Sequence, residues 1–290
     1  VSDFVPAAGQ VNCLELLTML PSDYIALASC LVTLLLLTLG VIQRGKRIRL
    51  VAAGLAAAIV LFHLVAWRLP FLWIWIIPHS SVVIISYVLV WCAIIPLMVA
   101  LSLLAQRRND RQGLLIVCFL FLVYAGYLVS RQLIPPEIRP YSIWHGRVMM
   151  QSNPNTCVAA AASSLLKLYG VELTECDAVD RGHITDEGGN DMNAWRILRL
   201  SLPAEYHVVA GPLSRDDMRI SGNWYLLSVD LTGLAKHEIV AQVAPDGKMA
   251  RILDPIDGEY SIHWEVLADR WHHRGVWVEE LPPPEAASNK

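Results

Sequence analysis

Four residues in the second half of the chain carry side chains that together could attack a carbonyl: Gln151, Cys157, His237 and Asp254. Cys157 supplies a thiol and opens an Ala-rich run, CVAAAASSLLKLYGV, that reads as a helix. A thiol at a helix N-terminus has its anion favoured by the helix dipole, and a nearby imidazolium favours it further. His237 stands at the head of a β-prone run, KHEIVAQV, and Asp254 closes the next one, before a turn in ILDPIDG. Antiparallel pairing of those two runs brings His237 and Asp254 side by side at one sheet end, where the carboxylate can orient the imidazole. Gln151, one short loop upstream of the thiol, can donate its side-chain N–H to a developing oxyanion, together with the backbone N–H of Cys157. The set thus holds a nucleophile, a base, an orienting carboxylate and an oxyanion donor. Each member also has an ordinary reading alone: a small packing Cys, a strand-start His, an Asp-Pro turn opener.

These residues need elements to hold them. Residues 135–140 (PPEIRP) read as an extended linker. Beyond it the pattern predicts a helix over 157–169 ended by Gly170, a short helix around 175–181, a turn at Gly188 and Gly189, and a helix over 192–200. Apolar, β-prone runs follow at 206–209, 224–229, 238–243, 250–253 and 275–278, with a hairpin signal at Ala244-Pro-Asp-Gly247. Helices first and strands later indicate an α+β domain, a helix packed on an antiparallel sheet.

The first half has a different composition. The whole chain is 55% apolar, with a mean hydropathy of +0.45, and the excess is concentrated before residue 135. A membrane-crossing helix needs about 20 mostly apolar residues, and residues 24–42, 50–67, 82–104 and 114–129 are read as four such spans. The Trp-rich stretch 71–77 (FLWIWII) reads as an interfacial aromatic belt. Arg44, Lys46, Arg47 and Arg49 in the first loop, and Arg107, Arg108 and Arg111 in the third, place those loops in the cytoplasm and the C-terminal domain outside it. The first 23 residues carry no Lys or Arg, so an ordinary secretory signal is not expected. His63 falls within the second span and is read as facing a neighbouring helix or the interface. Gly40–Lys46 fits GxxxxGK, but an apolar helix precedes it and Arg47 follows, so it is read as a basic loop and not a phosphate site. The net charge of −3 and the absence of a basic face exclude nucleic acid as a partner. No Cys/His metal spacing occurs among the six cysteines, and no cofactor is expected.

Residues 151–280 resemble the C39 peptidase family, the papain-like domains of bacteriocin-processing transporters. The resemblance rests on Gln151-x5-Cys157, CVAAAASSLLKLYGV, His237 followed by apolar residues, Asp254-Pro255-x-x-Gly258, and the helix-like stretch 193–202. It implies a peptidase with Cys157 as nucleophile, His237 as base, Asp254 as orienter and Gln151 in the oxyanion hole, acting on leader peptides cut after a small-residue pair, often Gly-Gly. Val158 stands where the family usually has Gly, and no ATPase domain is present.

The full expectation is a membrane protein: an N-terminal tail and α-helical four-span transmembrane region over 1–134, a linker over 135–150, an α+β papain-like domain of C39 type over 151–280, and a Pro-rich tail over 281–290. It would lie in the cell (inner) membrane, with the lipid bilayer, a peptide or protein substrate and other membrane subunits as partners. Cys157 is expected to stay reduced and reactive, unpaired with Cys176 or Cys13. Three functions remain open: a membrane-anchored cysteine peptidase, an idle papain-like scaffold in a larger complex, and acyl transfer by the same thiol.

Overall fold

The computed structural model describes residues 134–139, 141–230 and 236–280, the segment 71–77, and scattered helical positions between residues 38 and 116. Contacts divide the chain into two compact units, one of Met19–Leu133 and one of Val1–Thr18 with Ile134–Lys290.

In the first unit, helix α1 spans Phe71–Ile76. Trp73 and Ile74 are buried, Trp75 and Ile76 are exposed, and Phe71 meets Trp75 edge-on with ring centroids 5.3 Å apart. The four-span membrane architecture and the multi-pass inner-membrane localisation are corrected here. Among the described residues, no helix is long and apolar enough to cross a membrane. At 1.5 Å per residue, α1 is about 9 Å long, against roughly 30 Å of hydrocarbon core. The stretches read as spans, and His63, fall largely outside the described residues. The physical reason for the over-reading is that apolar content marks any buried segment, whether the burial is in lipid or in protein. The extracytoplasmic placement of the second unit rested on those spans and falls with them.

The second unit begins with a short hairpin, β1 (Ile143–His145) and β2 (Val148–Met150). A 3-10 turn at Pro154–Thr156 leads directly into α2 (Cys157–Leu168). Then come α3 (Glu175–Gly182), α4 (Asp191–Ser201), β3 (Tyr206–Pro212), α5 (Arg215–Ser221), β4 (Tyr225–Asp230), β5 (Lys236–Val243), β6 (Met249–Asp254), β7 (Gly258–His263), α6 (Trp264–Ala268) and β8 (Trp271–Glu280). The long strands form one antiparallel sheet in the order β3-β8-β4-β5-β6-β7.

Side-chain alternation along the strands gives the sheet two buried faces. Ile239, Ala241 and Val243 of β5 join Leu227 and Ile252 in a core closed by Met218 of α5 and by Trp264 and Leu267 of α6. On the other face Leu226, Val240 and Leu253 are fully buried, and α2 packs there against β4, β5 and β6, flanked by α3 and α4. The small side chains Ala159–Ala162 are wholly buried, which lets the α2 backbone lie close to its neighbours. Ser164 Oγ donates to Ala160 O at 2.9 Å and accepts from Met149 N at 2.8 Å, tying β2 to the helix.

Gly275 of β8 sits between Gly211 of β3 and Leu227 of β4. A Cβ there would lie 2.7 Å from Leu226 O and 2.8 Å from Leu227 Cδ2. Gly275→Ala is therefore expected to destabilise the unit by about 1–3 kcal/mol, seen as a lower denaturation midpoint with an unchanged slope. A midpoint equal to wild type would contradict this packing.

Candidate active site

Of the four residues singled out in the sequence, His237 and Asp254 meet at one end of the sheet. His237 opens β5 after Lys236, and Asp254 closes β6, its antiparallel neighbour. His237 Nε2 lies 2.8 Å from Asp254 Oδ1, with His237 only 2% and Asp254 4% exposed. A carboxylate accepts only, so Nε2 carries the proton and donates it, and Nδ1 keeps its lone pair for use as a base.

Asp254 is held on both oxygens. Oδ1 also accepts from the backbone N–H of Ile256 at 2.8 Å, and Oδ2 accepts from Tyr260 Oη at 3.1 Å. Burial works to raise its pKa, but the hydrogen bonds from His237, Ile256 and Tyr260 outweigh it and hold the carboxyl below its ordinary value. Gly258, at φ 85°, closes the turn from Asp254 into β7, a conformation that glycine adopts without strain. The same turn reaches Gln151, whose backbone N–H donates to Pro255 O at 3.0 Å.

The loop from Gln151 to Cys157 is clamped from several sides. Asn153 Oδ1 accepts from Asn155 N at 2.8 Å, and Asn155 Nδ2 donates to Asp186 O at 2.6 Å. Glu175, at the start of α3, accepts on Oε1 from Ser152 N at 2.8 Å and Thr156 Oγ1 at 2.6 Å. Residues 134–139 run extended alongside, with Ile134 O accepting from Asp186 N and Glu137 O from Asn153 Nδ2. Gln151 Oε1 is buried with no partner among the described residues.

Cys157 is 8% exposed and free. Cys176, the other described cysteine, is disulfide-bonded, so its partner is not Cys157 and lies outside the described residues. The backbone N–H groups of Glu238, Val158 and Cys157 itself face the thiol. This places the sulfur against the residue that follows His237. Among the described residues, no hydrogen bond joins thiol and imidazole. Burial, and after it the charge of Glu238, push the thiol up to about 11, and the three N–H groups only partly oppose this. The expectation of an activated thiol is thus corrected in one respect: Cys157 rests as a protonated, desolvated thiol. Val158, where the resemblance calls for Gly, is fully buried. It takes the room left by Gly189, whose Cβ would fall 3.1 Å from that of Val158.

Sequence reasoning missed a second buried polar group beside the thiol. Glu238 pairs with Ser228 across β4 and β5, is 4% exposed, and accepts a hydrogen bond from the Ser228 side chain. Its Oε2 has no hydrogen-bond partner among the described residues. Asp191, the first residue of α4, and Arg274 of β8 complete the group, with Arg274 Nε 2.9 Å from Asp191 Oδ2. Burial raises both carboxyls; Arg274 pulls Asp191 back down, while Glu238 is raised further by the charge of Asp191. The available signal was a lone Glu inside an apolar strand run, KHEIVAQV. No group of His, Cys, Asp and Glu suited to a metal ion occurs among the described residues.

No protein-family model matches the chain. No curated protein matches it either. Solved structures similar to it include the peptidase domain of Streptococcus ComA, a bi-functional ABC transporter of a quorum-sensing pathway, at 13% identity and TM-score 0.42, covering 47% of this chain and 99% of that one. A double-glycine-motif protease from an AMS/PCAT transporter, solved with a leader peptide, is similar at 18% identity and TM-score 0.39, covering 49% and 99%. The N-terminal C39-like peptidase domain of a Vibrio parahaemolyticus toxin-secretion ATP-binding protein is similar at 12% identity and TM-score 0.34, covering 44% and 96%. At identities this low and scores below 0.5, the likeness assigns no activity to this chain.

The depressed Asp254 carboxyl has a stability consequence. Its folded-state pKa lies below the unfolded one, so its contribution is present above the ordinary carboxylate range and is lost as pH falls through the depressed value. The gap in melting temperature between wild type and Asp254→Asn should be widest near neutral pH and shrink in acid. A gap constant down through the acid range would contradict the assignment.

Proposed function

We propose that residues 151–280 form a cysteine peptidase domain in which Cys157 is the nucleophile, His237 the base, Asp254 its orienting partner and Gln151 an oxyanion donor. The observation that carries this reading is the buried 2.8 Å contact of His237 with Asp254, set one residue from the backbone N–H that faces the Cys157 thiol. In the reaction, His237 Nδ1 takes the thiol proton as sulfur bonds to the scissile carbonyl carbon. The Gln151 side-chain N–H and the Cys157 backbone N–H hold the resulting oxyanion. The C–N bond then breaks, the leaving amine takes the proton from His237, and a thioester remains on Cys157. Water, deprotonated by His237, attacks the thioester and releases the acid and the thiol. Because the thiol rests protonated, proton transfer accompanies attack on bound substrate and does not precede it. Peptides carrying a Gly-Gly pair, the class implied by the motif resemblance, are the first substrates to test.

The burial of Cys157 and its raised pKa also favour a second reading, a peptide-binding domain that does not turn over. Kinetics separate the two. Under the peptidase reading, Cys157→Ala abolishes cleavage while leaving the fold intact, and Gln151→Ala lowers kcat by about 10²–10³-fold with little change in KM. Cleavage that persists in Cys157→Ala would overturn the peptidase reading. Tight peptide binding without cleavage by the wild-type chain would establish the binding domain.

A further inference from the structure

The buried group beside the thiol has an unequal charge count. Asp191 and Glu238 share one buried guanidinium, Arg274, which lies against Asp191, while Lys236, exposed at the start of β5, also acts on both carboxyls. Glu238 has Ser228 on one oxygen and no partner on the other among the described residues. A buried carboxylate with an unpartnered oxygen is costly, so burial and the charge of Asp191 make Glu238 hold its proton more tightly than an ordinary carboxyl, against the opposing pull of Ser228, Arg274 and Lys236. Among the described residues, Lys236 on its own strand also acts on Glu238, and Glu238 in turn acts on the Cys157 thiol of α2. His272 on β8 acts on Asp191. Glu238 therefore touches the site twice: its backbone N–H faces the sulfur, and its side chain sits in the same desolvated layer as that sulfur.

Resting on the peptidase reading of Cys157, we propose that Glu238 is a positioning residue that makes the thiol of Cys157 answer to a buried carboxyl, neutral in the working enzyme and inhibitory once it ionises. With Glu238 protonated, the N–H groups of Glu238, Val158 and Cys157 are the nearest electrostatic influence on sulfur. Once Glu238 loses its proton, a fixed negative charge opposes formation of the thiolate, in a medium where such charges act strongly. The thiol and the carboxyl thus titrate as a coupled pair with anticooperative steps. The alkaline limit of activity then belongs to Glu238.

The test is the pH dependence of Cys157 alkylation by iodoacetamide in wild type and in Glu238→Gln, which keeps the shape of the side chain. The two proteins should react at equal rates in mildly acidic solution and diverge in mildly alkaline solution, with the variant about tenfold faster for each unit by which its thiol pKa falls. Rate profiles that run parallel at every pH would overturn the proposal. If Glu238→Gln fails to fold, wild type alone decides: a log-rate profile whose unit slope breaks in mildly alkaline solution before rising again supports the coupling, and one that climbs with unit slope straight to the thiol's own titration overturns it. Alkylation needs no substrate, so this result stands whether or not any peptide is cleaved.

Discussion

The contact on which the site depends is the hydrogen bond between His237 and Asp254, buried at the end of two adjacent strands. It forms only because β5 and β6 pair in one register, with Val240 opposite Leu253. A slip by one residue would turn every side chain of β5 to the opposite face. The apolar alternation of β5 therefore specifies the core and the direction of the imidazole at once. Asp254 in turn is fixed by Tyr260 and by the turn that ends at Gly258, and the carbonyl of Pro255 within that turn fixes the backbone of Gln151. One sheet end thus fixes His237, Asp254 and the backbone of Gln151.

Desolvation acts on each member of the site differently. Asp254 is buried but richly hydrogen-bonded, so it stays ionised. Cys157 is buried beside Glu238, and the backbone N–H groups facing it only partly offset the effect of burial and of that charge, so its thiol is pushed up. The consequence is a desolvated thiol in a layer where a further carboxyl, Glu238, lies close enough to act on it. The clamp of Glu175 on Ser152 and Thr156 belongs to the same logic. It pins the loop that carries Gln151 into a helix start that would otherwise leave N–H groups unmatched.

The local elements around the candidate site were legible in the sequence. Cys157 at the head of an Ala-rich run is found at the first residue of α2, and the Ala244-Pro-Asp-Gly247 signal is found as the β5–β6 turn, with Gly247 N donating to Ala244 O. Those features are local, and local chemistry decides them. The short helices α5 and α6 and the strand β7 escaped notice because their few residues have no clear periodicity and owe their form to tertiary packing. Glu238 escaped because pairing across strands, not spacing along the chain, brings it beside Asp191 and Arg274. The membrane reading failed for a related reason: apolar content reports burial without saying in what, and among the described residues no helix is long and apolar enough to cross a membrane.

The most direct measurement is intact-protein and peptide mass spectrometry after incubation with a Gly-Gly peptidyl vinyl sulfone. The sulfone forms a thioether fastest with a thiol that a bound peptide aligns and a base deprotonates. The account predicts a single adduct on Cys157, formed faster than with a vinyl sulfone lacking the peptide and nearly abolished in His237→Ala. Equal rates with and without the peptide, or an adduct indifferent to His237, would contradict the claim that Cys157, His237 and Asp254 act together on a peptide.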